Sequence, residues 1–308
     1  MSITKLSAFA LLALIATHGL AQTPGTLNPA PLPPLATPAD PSTPAKELFG
    51  RELTPAKASA RVYGFYSKGC LAGAESVPIT GPTWQVMRLS RHRNWGHPEL
   101  VKLVERLADK THRLTGWPGI LVGDLSQPRG GPMLTGHASH QVGLDADIWL
   151  TPMPARELTR QEREEMSATL MVDASRKDVD PAVWTPGHVA LIKAAAQEPE
   201  VDRIFVNAAI KKALCRDAGP TDRKWLGKVR PLWQHDYHFH IRMRCPRDSR
   251  GCTPQAPPPL TEDCGSELDW WFRDEVLFPK PPAVPPKPRT PLTVANLPRQ
   301  CSQVLKAP

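Results

Sequence analysis

The stretch Gly136-His137-Ala138-Ser139-His140-Gln141-Val142-Gly143-Leu144-Asp145-Ala146-Asp147 changes character halfway along. Its first half is turn-like, with glycines at 136 and 143 bracketing two histidines. Its second half opens the run Leu144 to Leu150, where Asp145 and Asp147 alternate with Leu144, Ala146 and Ile148. Side chains on a strand point to alternate faces, so this run predicts a strand with both carboxylates on one face. The glycines allow a turn that brings His140 near Asp147. A second window, His235-Asp236-Tyr237-His238-Phe239-His240, carries an H-x-H. A strand over His238 to Met243 would point both imidazoles into one cleft, with Tyr237 and Phe239 packed behind them. Five of the ten histidines fall in these two windows.

Zinc sites gather three or four imidazole or carboxylate ligands at about 2.0–2.2 Å. Two histidines and one aspartate from these windows would leave a fourth position for water, the arrangement of a catalytic rather than a closed structural site. His92, His97, His112 and His188 have no paired partner in sequence and are read as structural. Rival chemistries are thin. There is no G-x-S-x-G elbow and no H-E-x-x-H helix, and the one S-x-x-K, Ser2 to Lys5, falls in an export signal.

Outward from the windows, His97-Pro98-Glu99 opens a helix that runs at helical spacing through Leu100, Val101, Val104, Leu107, Thr111 and Leu114 to Gly116. Ile120 to Val122 and Arg203 to Val206 read as strands, and Val189 to Ala196 and Ala208 to Leu214 as helices. Helices and strands without a regular βαβ rhythm predict a single α+β domain, with a small, mostly antiparallel sheet carrying the zinc cleft and helices flanking it.

The ends of the chain are different. Lys5, the apolar run Leu6 to Ala16 and Gly19-Leu20-Ala21 read as a signal peptide over residues 1–21, too short to span a bilayer. Thirty-six prolines in 308 residues exclude a coiled coil. They concentrate in a linker over residues 22–62 and in a C-terminal stretch over 279–308, leaving residues 63–278 as the metal-binding domain. Six cysteines in an exported chain imply three disulfides, with 15 pairings open. A zinc-thiolate site is disfavoured, because no C-x-x-C occurs. The net charge of +8 favours an anionic partner, and a mean hydropathy of −0.33 excludes a polytopic membrane protein.

The runs G-H-A-S-H-Q-x-G-L-D-x-D-I and H-x-x-H-x-H resemble the penicillin-insensitive murein endopeptidases, within the wider group of lysostaphin-type, D-Ala-D-Ala and hedgehog-like metallopeptidases. The likeness extends to Gly69-Cys70, Gln85-Val86-Met87-Arg88, Gly96-His97-Pro98, Arg203-Ile204-Phe205-Val206-Asn207 and Arg244-Cys245-Pro246. It implies His140, Asp147 and His240 as Zn2+ ligands, His238 as the catalytic histidine, and His137 as a ligand at an additional or alternative position. It also implies the pairs Cys70–Cys301, Cys215–Cys264 and Cys245–Cys252. Ala138 and Asp145 depart from the wider group's S-x-H-x-x-G-x-A-x-D. Ser175 and Asp178 stand where some relatives present Asp and His to extra metal, which leaves the number of metal sites open.

The resemblance implies a periplasmic enzyme that hydrolyses D-alanyl–diaminopimelate cross-links of peptidoglycan (murein), with no nucleic-acid partner and no stable membrane insertion. Asp145 would orient a ligand histidine, and Arg88, Arg91, Trp84 and Trp233 are candidate substrate-gripping residues. Three readings compete: a non-catalytic peptidoglycan-binding protein, a metal-storage protein, and the same zinc chemistry on a carboxypeptidase or amidase bond.

Overall fold

A computed structural model describes residues 23–259, 261–280 and 290–308. The expected signal peptide lies outside the described residues, as do residues 281–289 of the proline-rich C-terminal stretch. The chain opens with helix α1 (Ala45–Phe49), the hairpin β1 (Arg61–Phe65) and β2 (Lys68–Ala72), and the short strands β3 (Glu75–Ser76), β4 (Thr80–Gly81), β5 (Trp84–Val86) and β6 (Trp95–Gly96). Helix α2 (Pro98–Thr115) leads into β7 (Ile120–Val122) and β8 (Asp145–Pro152). Then come α3 (Arg160–Glu165), α4 (Pro186–Gln197), β9 (Val201–Val206), α5 (Ala208–Asp217), β10 (Val229–Pro231) and β11 (His238–Met243). Three short helices, α6 (Ser266–Asp269), α7 (Asp274–Leu277) and α8 (Gln300–Lys306), complete it.

Seven strands form one sheet in the order β10-β9-β11-β8-β7-β5-β4. β10–β9 and β7–β5 are parallel and the other four pairings antiparallel, so the architecture is α+β. β11 lies directly against β8, with His240 opposite Asp147 and Arg242 opposite Asp145. The two histidine windows, far apart in sequence, therefore meet at the middle of the sheet.

β8 is buried on both faces from Asp145 to Leu150. Leu144, Ala146, Ile148 and Leu150 enter the main core with Phe239 and Ile241 of β11, while the two aspartates face the cleft. α2 begins where its sequence says: the His97 ring accepts the Glu99 N–H, Pro98 occupies the first turn, and Gly116 ends it at φ +72°. Leu100, Leu103, Val104 and Leu107 are fully buried, each contributing about 1.5–3 kcal/mol of transfer free energy. Gly143 has φ +65°, and a Cβ there would come within 2.3 Å of the Leu71 side chain. Glycine is thus required where the histidine turn enters β8.

The expected linker behaves in two ways. Residues 23–44 are mostly exposed, but Ala45 and Phe49 of α1 are fully buried in a second cluster with Ala56, Cys70, Ala72, Leu297, Cys301 and Val304. A five-residue helix shows no periodicity, and several of its partners sit at the far end of the chain. Composition therefore could not find it. The cysteines form three disulfides, Cys70–Cys301, Cys215–Cys264 and Cys245–Cys252. The first ties α8 to β2, and Arg129 Nη1 donates to the α8 carbonyls of Val304 and Leu305 and to that of Ala307.

Candidate metal centre

Asp145 and Asp147 come from β8, His238 and His240 from β11, and His137 and His140 from the turn before β8. His140 holds φ +66°, a left-handed conformation uncommon for a residue with a Cβ. Its backbone N–H donates to Asp145 Oδ2 at 3.1 Å, which pins the turn to the strand it feeds.

Asp147 Oδ1 is the focus. His240 Nδ1 lies 3.2 Å from it, His140 Nε2 3.4 Å and His238 Nε2 3.7 Å. His137 Nε2 lies 3.5 Å from Asp147 Oδ2 and 3.1 Å from Asp124 Oδ2. The ligand atoms of His137, His140 and Asp147 all fall within 4.8 Å of one another. The structure thus brings His137, His140, Asp147, His238 and His240 into one cleft.

Buried polar atoms normally find partners, and leaving one unsatisfied costs about 1–3 kcal/mol. Here both ring nitrogens of His140, Asp147 Oδ1 and His238 Nδ1 are buried with no hydrogen-bond partner among the described residues. Orphaned ligand atoms in one cluster are what a cation site leaves when protein atoms alone are counted. Tetrahedral ligands at about 2.1 Å sit about 3.4 Å from each other, and the 3.2 and 3.4 Å separations around Asp147 Oδ1 match that spacing. Among the described residues, His137, His140 and Asp147 bring ligand atoms close enough together to hold a metal ion.

The charges agree. Burial works against ionising Asp147, yet His140, His238 and His137 together hold its carboxyl well below the usual range. Burial likewise opposes ionised Asp145, but Arg242 and His240 hold it low. For Asp124 the opposing groups are His137, Arg91 and Arg93. His238 is pushed down to about 3, chiefly by burial, and so presents a neutral ring to the cleft. Burial also lowers His140, and a neutral imidazole is the form that binds a metal.

Two supports frame the cluster. On one side His240 Nε2 lies 2.7 Å from Asp145 Oδ1, which also accepts Arg242 Nε at 2.8 Å. The Arg242 guanidinium stacks 4.1 Å over the Tyr66 ring, and Tyr66 donates its hydroxyl to the Met243 carbonyl at 2.6 Å. On the other side Asp124 Oδ2 accepts from Arg91 and Arg93, each at 3.0 Å, beside its contact with His137. Asp124, Arg93 and Arg242 escaped the sequence reading. Asp124 follows β7, a strand paired to β8, and a carboxylate in that place was the available signal.

The histidines read as structural serve elsewhere: His97 caps α2, His188 contacts the Leu150 carbonyl, His92 the Leu53 carbonyl and His112 the Trp117 carbonyl. Ser175 bonds Asp173, and Asp178 pairs with Arg216, so neither joins the cleft. Of the gripping candidates, Arg88 and Arg91 line a recess beside Asp147 and His238. Trp84 is buried with its indole N–H on the Pro78 carbonyl, while half-exposed Trp233 packs on Trp271.

A family model described as penicillin-insensitive murein endopeptidase matches residues 62–306. The chain belongs to the penicillin-insensitive murein endopeptidase family. It is 45% identical over 251 residues to the penicillin-insensitive murein endopeptidase of Klebsiella pneumoniae, covering 82% of this chain and 88% of that protein. The Haemophilus influenzae protein of the same name is 44% identical over 249 residues, with 80% and 82% covered. An Escherichia coli one is 45% identical over 251 residues, with 82% and 88% covered. The murein endopeptidase match spans the whole histidine cleft and all three disulfides, and it leaves Thr23–Thr26 outside.

Proposed function

We propose that the protein is a periplasmic zinc endopeptidase that hydrolyses D-alanyl–diaminopimelate cross-links of peptidoglycan. The observation that carries this reading is the convergence of His140 Nε2 and His240 Nδ1 on Asp147 Oδ1, with buried ligand atoms otherwise left unsatisfied. His140, Asp147 and His240 would hold the ion. His137 is the weaker candidate for that set, because its Nε2 already faces Asp124. Bound zinc supplies Lewis acidity, polarising the scissile carbonyl and acidifying a water.

The remaining work falls to the chain's own residues. His238, neutral at working pH, offers Nε2 to take a proton from the attacking water; while protonated its ring faces the developing oxyanion, and the proton then passes to the leaving amine. Asp145 orients His240, leaving Nδ1 turned to the ion. Arg88 and Arg91 line the recess next to His238, where the carbonyls of Thr23, Arg163 and Met166 and the Asp124 carboxylate hold their guanidinium groups. Periplasmic placement rests on the reading of residues 1–21 as an export signal and on where murein lies. Among the described residues no helix is long and apolar enough to cross a membrane.

The test is incubation of the chain lacking residues 1–21 with purified cross-linked muropeptide dimers, with and without chelator, the products resolved by mass. Dimers should fall to monomers, and chelator or His240→Ala should stop it. Persistence of dimers with zinc present, or cleavage indifferent to both, would refute the reading. Removal of a terminal residue alone would move the bond to a carboxypeptidase site, and binding to sacculi without product would favour a wall-binding protein.

A further inference from the structure

The exposed segment Thr23–Thr26, outside the stretch shared with the family, returns to the mouth of the metal centre and is fastened there. The Thr23 carbonyl accepts from Arg88 Nε at 3.2 Å and from Arg91 Nη2 at 2.5 Å. The Gly25 N–H donates to the Glu164 carbonyl at 2.8 Å, and the Thr26 N–H to Ser90 Oγ at 3.2 Å. Beneath the segment the fully buried Glu164 carboxylate accepts both the backbone N–H and the hydroxyl of Ser90, at 2.7 and 2.9 Å. Gly25 rests so closely on that carboxylate that a Cβ would fall 1.7 Å from Glu164 Oε2 and 2.6 Å from Ser90 Oγ. Any other residue there must displace the Glu164–Ser90 pair or lift the segment.

The docked segment builds something. It forms one wall of a cleft of about 350 Å³, whose opposite wall is Thr135, Gly136 and His137 and whose floor is Arg91, Arg93 and Asp124. That volume is within the range of small-ligand sites, about 300–1,000 Å³. Arg91 joins the wall to the metal centre, because its Nη1 donates to the same Asp124 oxygen that faces His137 while its Nη2 holds Thr23. Two guanidinium groups against one carboxylate leave the floor net positive, which suits a carboxylate-bearing peptide.

We propose that Thr23–Thr26 is a substrate-recognition element, the wall against which one carboxylate-bearing peptide arm of the cross-link lies. This rests on the peptidoglycan reading of the site. The segment lies far in sequence from the catalytic windows, yet it helps set affinity for the substrate.

The experiment compares the chain lacking residues 1–21 with its Gly25→Leu variant and with a second variant deleted for residues 23–28. KM and kcat are measured on cross-linked dimers, the dissociation constant of the cleaved monomer by calorimetry, and zinc content for all three. The expected result is a rise of about tenfold in KM and in the monomer dissociation constant for both variants, with kcat within about twofold and zinc content unchanged. Unchanged values overturn the proposal. Lower values also overturn it, since they would make the segment a competitor for the cleft. If the parent chain cleaves nothing, the peptidoglycan reading fails on its own terms and calorimetry still decides: weakened monomer binding in both variants supports the wall, while equal binding, or none by the parent, refutes it.

Discussion

His240 Nε2 lies 2.7 Å from Asp145 Oδ1, and that contact decides which face of the ring looks into the cleft. With Nε2 turned to a carboxylate that Arg242 also holds, Nδ1 is the nitrogen left 3.2 Å from Asp147. A carboxylate behind a ligand histidine fixes its tautomer and raises its basicity. Asp145→Asn should keep the fold and lose affinity for zinc by about 10–100-fold. Competition with a chromophoric chelator reads this without any substrate. Equal affinity in the variant would reduce Asp145 to a structural partner of Arg242.

Much of this centre was legible because strands write their geometry with period two. The alternation through Asp145 and Asp147 and the H-x-H of His238 and His240 each placed two side chains on one face, and both segments are strands. Pro98 and Gly116 bounded α2 for equally local reasons. What stayed hidden is not local. The register that sets His240 opposite Asp147 depends on long-range pairing. Asp124 matters because Arg91 and Arg93 converge on it from another loop. The burial of Phe49 depends on partners such as Leu297 and Val304 at the other end of the chain.

The Cys70–Cys301 bridge closes the longest loop of the three, with a sequence separation of 231. Cross-links act largely on the unfolded chain and matter more for longer loops. Replacing both cysteines with serine should lower stability by about 2–5 kcal/mol, and also loosen α8, whose carbonyls hold Arg129. Denaturant unfolding of the purified variant is the measurement. Removing the short Cys245–Cys252 loop, with a separation of 7, should cost less. Equal losses from the two would contradict the loop-length account.

Lys211 is fully buried in α5, with Nζ donating to the carbonyls of Leu226 at 2.7 Å and Glu262 at 2.5 Å. Burial pushes its pKa down to about 7 from 10.5. Between those two values the unfolded chain carries a proton at this site that the folded chain does not, so stability rises with pH across that window, by up to about 1.4 kcal/mol per unit. Below the folded value both states are protonated and the contribution is flat. Urea midpoints of the parent and Lys211→Met at pH 6, 7.5 and 9 should therefore diverge as pH increases, the parent gaining. Parallel curves would mean that the two carbonyls keep the ammonium charged.

His137 and His240 both approach Asp147, and they differ in what else holds their rings. His137 Nε2 lies 3.1 Å from Asp124 Oδ2, and that oxygen is already held by Arg91 and Arg93. His240 has Asp145 on one nitrogen and presents the other to Asp147. Two outcomes should therefore separate. His240→Ala should abolish tight binding of zinc, because it removes a ligand and leaves Asp145 with Arg242 and the His140 backbone N–H as its partners. His137→Ala should keep one zinc per chain with affinity within about tenfold, a smaller loss than the upper end expected for an outer partner. Metal content after dialysis against a weak chelator, measured by atomic emission, distinguishes the two. Should His137→Ala lose the metal while His240→Ala retains it, the ion belongs with His137, His140 and Asp147, and His240 becomes a neighbour of the site rather than a ligand.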